Sequence, residues 1–415
     1  MEKELIEKAL QGFYRTGCFH IYLAGYFDPD LTKMSQADLG TFLHEYVHFL
    51  QNISTPYGIF EAAALNEAAV EAFMDIEPRD EIEIPYNAPK SLMLKERMEW
   101  LKVMDGQAIK DSDYVIQVDE NENIMWGFTE QSFGGRKGRV VALEFYDKQG
   151  HAHHRFIGAR DIKEAMAAAY EGLINPTAKH PDIPYNLLRI FCKQTFPTVG
   201  NDVKKFICLC FTSLFSLNPA YHFVDLCHKA EEENDKTGFQ FFDEYLADHK
   251  VKVKGKWITP WEHFNGLLGQ YSQSIQGLIR CEMPYINSVL ERVKLENGNV
   301  PILNVINTEK PFTVENITAL VDALGIPYMH AQGRGWFFPS IDGEGASDVV
   351  KLVGHTWLYQ FLINKDEMTK CVCPLVTMCG QYGTYCYDQP WRERKCSFEL
   401  IGNEIGLKDK KIVVK

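Results

Sequence analysis

Two histidines and a glutamate, in His44-Glu45-Tyr46-Val47-His48, carry the spacing with the most chemical content in this chain. On a helix, residues four apart share a face about one turn apart, so imidazoles at 44 and 48 can converge on one metal ion. Glu45 falls on a neighbouring face, where a carboxylate can take a proton from water at the metal without ligating it. Zinc at such a site lowers the pKa of its water toward about 7 and polarises a carbonyl. Glu45 would then act as general base and later pass the proton to a leaving amine. H-E-x-x-H fixes only three positions and recurs by chance in long chains. Here it has a helix of its own: Ser35 and Asp38 read as a capping pair, and Leu39, Leu43, Val47 and Leu50 repeat at helical spacing. A strand precedes it, because residues 18–26 alternate apolar side chains on a period of two.

Such a site needs a third protein ligand, with water in the fourth position. Eighteen residues separate His48 from Glu67, which sits in Ala64-Leu65-Asn66-Glu67-Ala68. Over residues 36–75 the chain resembles the gluzincins, the thermolysin-like and aminopeptidase families of zincin peptidases. Their third ligand is the glutamate of an Asn-Glu pair on the following helix, and the eighteen-residue gap is the aminopeptidase spacing. The resemblance implies His44, His48 and Glu67 as zinc ligands, Glu45 as the base, and an edge strand that pairs with extended substrate. Glu71, one turn on, is a candidate for orienting a ligand imidazole. No Gly-rich segment of the aminopeptidase kind lies upstream, and no thermolysin-like histidine motif lies downstream. The rival third ligand is Glu164, in Gly158-Ala159-Arg160-Asp161-Ile162-Lys163-Glu164-Ala165-Met166-Ala167. Some compact zincins draw their third ligand from a Glu-x-x-Ala helix of this kind. Glu67 is the first choice, because the short break at Ser54-Thr55-Pro56-Tyr57-Gly58 predicts an antiparallel helix pair. That pairing would set Glu67 roughly level with residues 42–44.

The elements expected around the site are a helix from 36 to about 53, an alanine-rich helix to about 75, a loop over 76–89 and a helix over 90–104. Two hairpins should follow, one pairing 114–119 with 124–128 and one pairing 140–146 with 153–157 across Asp147-Lys148-Gln149-Gly150. Beyond Ala159 the pattern turns helical, with elements near 160–173, 184–195, 202–216, 261–281, 285–296, 313–324 and 347–363. Pro284 should separate two of them. The fold class expected is α+β: a zincin-like catalytic part over 1–175 and a predominantly α-helical part over 176–415, with a Cys-containing C-terminal segment.

A net charge of −13 opposes general nucleic-acid binding, which needs a basic surface. The first residues carry no export signal, and no apolar run approaches the roughly 18–20 residues of a membrane span. The 11 cysteines are therefore expected as reduced thiols in a cytoplasmic protein. Cys371, Cys373, Cys379, Cys386 and Cys396 lack paired C-x-x-C spacing and read as thiols rather than a second metal site. His151, His153 and His154 read as a solvated turn, and Tyr328–Trp336 as a structural loop. Gly343-Glu344-Gly345 lacks the Lys-Ser/Thr of a phosphate loop. The expectation is a zinc-dependent metallopeptidase acting on a restricted protein or peptide substrate, without nucleic-acid or membrane partners. The alternatives are a zinc amidohydrolase with a non-peptide substrate, and a non-catalytic regulatory protein with a structural metal site.

Overall fold

The structure, a computed structural model, describes residues 11–133, 136–294, 300–331, 334–336, 347–363, 397–407 and 409–414. The strands in chain order are β1 (Gly12–Arg15), β2 (His20–Leu23), β3 (Glu81–Ile84), β4 (Met125–Phe133), β5 (Arg136–Tyr146), β6 (Ala152–Ile157), β7 (Val251–Val253), β8 (Lys256–Ile258), β9 (Tyr328–Ala331), β10 (Arg334–Trp336) and β11 (Lys411–Val414). The longer helices are α1 (Gln36–Ser54), α2 (Pro56–Ile76), α3 (Leu92–Met104), α4 (Ala159–Ile174), α5 (Leu187–Thr195), α6 (Val203–Ser213), α7 (Pro219–Glu232), α8 (Gly238–Asp248), α9 (Pro260–Ile279), α10 (Pro284–Arg292), α11 (Val314–Leu324), α12 (Ser347–Ile363) and α13 (Ser397–Glu404). The fold is mixed α+β, with helices predominating and small sheets.

α1 lies at the centre. Ser35 caps it by accepting the Asp38 amide at 3.1 Å while its hydroxyl donates to the Asp38 carboxylate at 2.6 Å. From Leu39 to Ser54 every residue is buried except Thr41 and His48, which are partly so. The apolar stripe in the sequence thus understates the packing, since the helix is enclosed on all sides. A single residue, Thr55, joins α1 to α2; its hydroxyl accepts from Gly58 N–H at 3.1 Å and donates to the Gln51 carbonyl at 2.7 Å.

α4 runs antiparallel along α1. Gln51 near the end of α1 bonds the carbonyl of Lys163 near the start of α4, and Gln36 at the other end bonds the carbonyl of Ile174. The two helices approach closely at Gly40, where an added Cβ would lie 3.0 Å from Asn175 Cβ and 3.2 Å from Glu171 Cγ. Glycine there lets α4 settle against the helix that carries both histidines.

β1 and β2 form an antiparallel hairpin, and β2 continues in parallel to β9, in the order β1-β2-β9-β10. The strand expected over 18–26 is therefore shorter and internal. The edge strand is β1, whose four residues, Gly12-Phe13-Tyr14-Arg15, show too little alternation to be noticed in the sequence. The hairpin of 140–146 with 153–157 is present, Val141 opposing Ile157 and Tyr146 opposing Ala152. The hairpin expected from 114–119 and 124–128 is not: Asp111–Val115 is a 3-10 turn, and β4 pairs with β5 instead. The loop expected over 76–89 contains β3, which pairs in parallel with β11 from the far end of the chain. Elements after residue 176 interleave with those before it, through β9 on β2, β11 on β3 and α9 packed against α2.

Candidate metal centre

His44 and His48 project from one side of α1 with their rings edge to face, centroids 5.0 Å apart. Their Nε2 atoms lie 3.3 Å apart, and the same Oε2 of Glu164, from the second turn of α4, lies 3.3 Å from one and 3.2 Å from the other. Three side-chain atoms thus form a nearly equilateral triangle. Glu67, the first choice for the third position, is not in it. Its Oε2 accepts from Arg97 Nη1 on α3 at 2.8 Å. The reason is rotation along α2. Glu61 on that helix does border the site, and six residues later the helix has turned by about 240°, so Glu67 points about 120° away from the direction of Glu61. Glu71, expected near a ligand imidazole, accepts the backbone amides of Lys90 and Ser91 at the start of α3.

The outer nitrogen of each imidazole is also engaged. Gln51 donates its amide N–H to the Lys163 carbonyl at 3.0 Å, which turns its Oε1 toward His48 Nδ1 at 2.9 Å. An acceptor there demands a proton on Nδ1, so the Nε2 of His48 carries the lone pair. His44 Nδ1 lies 3.2 Å from Glu171 Oε2, a carboxylate contact without the alignment of a good hydrogen bond. It selects the same tautomer. Glu171 is two turns beyond Glu164 on one face of α4, and its other neighbour is His180 Nε2 at 2.9 Å. His44, Glu171 and His180 form a second convergent group. In the neutral tautomers, three acceptor atoms face one another across 3.2–3.3 Å with no donor between them. Such an arrangement repels itself unless a cation lies among them, whether protons or a metal ion.

The same contacts shift the charge balance of these residues. Burial works against a charged His44, yet Glu164 and Glu171 overcome it and push the imidazole up to about 10. Burial also acts against an ionised Glu164, and His48 and His44 override it to hold the carboxyl far below its ordinary range. Glu45 is buried beside them; burial raises its pKa, while His44 and His48 pull the other way. Its Cγ lies where a Cβ on Gly12 would come within 2.8 Å, so β1 passes directly over this carboxylate.

These groups open into a cavity of about 370 Å³ whose wall includes Gly12, Phe13, Tyr14 and Thr16 of the β1 segment, Asn52 and Glu61, Arg160 and Lys163, and Tyr114 and Tyr185. Lys163 pairs with Glu61 at 2.9 Å, and Arg160 with Asp105. Tyr185 stands edge-on to His44, centroids 5.5 Å apart, and packs on His180 at 4.9 Å. Burial, reinforced by Glu164, raises its pKa, so its hydroxyl stays protonated as a donor.

Gln51, Glu171, His180 and Tyr185 were not singled out in the sequence. Glu171 had a signal: Glu164 and Glu171 are seven apart, with small Ala167 and Ala168 between them on the same face. Elsewhere, His151 Nδ1 and His153 Nε2 both contact the Asp147 carboxylate, at 3.1 and 2.9 Å, closing the β5–β6 turn. The Tyr328–Trp336 segment supplies β9 and β10, and Tyr328–Ala331 are not among the residues that line the metal cavity. Cys371, Cys373, Cys379, Cys386, Cys396 and Gly343–Gly345 lie outside the described residues; Cys18, Cys192, Cys208, Cys210, Cys227 and Cys281 are free thiols. Among the described residues no helix is long and apolar enough to cross a membrane. No protein-family model, curated protein or solved structure matches the chain.

Proposed function

We propose that this protein is a zinc-dependent metallopeptidase in which His44, His48 and Glu164 hold the metal and Glu45 is the general base. The observation that carries the reading is the triangle of Nε2, Nε2 and Oε2 atoms at 3.2–3.3 Å beside a buried glutamate. A tetrahedron with zinc's usual bonds of about 2.0–2.1 Å has edges of about 3.3–3.4 Å, whereas an octahedral magnesium site has edges of about 3.0 Å. Calcium tolerates longer edges but takes oxygen ligands, and two imidazoles in three disfavour it. Three protein ligands leave a fourth position for water or substrate.

Zinc bound there would supply a charge that polarises a carbonyl and lowers the pKa of water. The residues do the remainder. Glu45, next to His44 on the chain and open to the cavity, takes a proton on its carboxylate and returns it to the leaving amine. Tyr185 offers a neutral O–H to charge developing on the substrate oxygen. A peptide rather than another amide is favoured by β1. Among the described residues it pairs only with β2, so its outer edge can hydrogen-bond an extended backbone laid across the cavity.

The test separates metal binding from proton transfer. Glu45→Gln should keep stoichiometric zinc while turnover of a cleavable peptide falls by about 10²- to 10⁴-fold. Wild-type turnover in that variant would remove Glu45 from the mechanism.

A further inference from the structure

A second cavity, of about 160 Å³, lies beside the metal cavity and is lined by Cys18, Leu65, Val353, Trp357 and Gln360 among others. Two features place it next to the metal cavity. Thr16, just past the end of β1, lines both cavities. On α2, Glu61 borders the first and Leu65 the second, one helical turn or about 6 Å further on. The character of the wall changes over that turn. Beside the metal it is charged, with Glu61 paired to Lys163; at Leu65 it is largely apolar, closed on the far side by α12 through Val353 and Trp357.

We propose that this second cavity is a specificity subsite that receives a bulky apolar side chain, aromatic or long aliphatic, of the peptide substrate. The proposal rests on the peptidase reading and adds to it a substrate class: extended peptides with such a residue displaced from the scissile bond. An extended chain advances about 3.3 Å per residue, so the 6 Å step from Glu61 to Leu65 corresponds to about two residues. A basic side chain is disfavoured, because the lining residues include Arg15 and offer no carboxylate to pair with it.

The test uses zinc-loaded protein and a series of cleavable peptides with Phe or Gly at each of four positions on either side of the scissile bond. The wild type should prefer Phe over Gly at one position removed from the cleaved bond by at least about tenfold in kcat/KM. Leu65→Trp and, from the opposite wall, Gln360→Trp each fill the cavity and should collapse that ratio to near one while zinc content stays stoichiometric. Either variant decides the matter if the other does not fold. A wild type without such a position, or a preference that survives filling, overturns the subsite. If the wild type cleaves none of the peptides, the peptidase reading fails by itself. The subsite is then decided by equilibrium binding: tighter binding of the Phe peptides that is lost on filling sustains it, and equal binding of Phe and Gly peptides overturns it.

Discussion

α2 and α4 both flank the central helix and both carry glutamates, but the two sets are satisfied in opposite ways. On α2, Glu61 pairs with Lys163, Glu67 with Arg97, and Glu71 accepts two backbone amides. Each carboxylate there already has a donor supplied by the protein. On α4, Glu164 and Glu171 face only imidazoles, and Glu171 is almost fully buried. A buried carboxylate without a permanent cation is costly, so the α4 side of α1 is built to receive charge from outside the chain. Residue type was therefore uninformative here, and the partners decide which glutamate is a ligand.

The contrast can be attacked from either helix. Among residues behind the three ligands, the largest effect is expected at Glu171→Gln, which keeps an acceptor beside His44 Nδ1 but removes the charge. Zinc affinity, read by competition with a chelator, should fall by about 10- to 100-fold. Unchanged affinity would reduce Glu171 to a packing residue and erase half of the contrast. On the α2 side, Glu61→Gln strips Lys163 of its partner in a mostly buried setting. The metal-free protein should lose about 2 kcal/mol in denaturant unfolding, between the values for surface and buried pairs, with zinc affinity within about threefold of wild type. A large loss of affinity there would mean that α2 also serves the metal. Glu67→Ala should do least. It breaks a partly exposed pair and should cost about 1 kcal/mol or less in the same unfolding measurement.

Local signals along the chain located α1 and most of α4, because capping residues, helical spacing and small-residue runs act over a few residues. Ser35 and Asp38 mark the start of α1, and His44 and His48 share a face on geometry alone. The turn at Asp147–Gly150 likewise set the β5–β6 hairpin. What escaped depended on long-range placement. Glu67 matched a familiar gap, but a hinge of one residue and the phase of α2 turned it toward Arg97. β1 is too short to show a period, and its partner β2 is held from its other side by β9, some three hundred residues away in the chain. Gln51 looked like any polar residue near a helix end. Only the antiparallel approach of α4, with the Lys163 carbonyl in reach, gives it the task of fixing the His48 tautomer.

The central claim is that Glu164, with His44 and His48, makes the metal site. Zinc stoichiometry and affinity measured side by side for wild type, Glu164→Ala and Glu67→Ala test it most directly, with folding of each variant checked by circular dichroism. The wild type should bind one zinc per chain. Glu164→Ala should lose affinity by well over the roughly 100-fold expected for an orienting residue, and Glu67→Ala should match wild type within about twofold. Wild-type affinity in Glu164→Ala beside a collapse in Glu67→Ala would contradict the account and return the third ligand to α2.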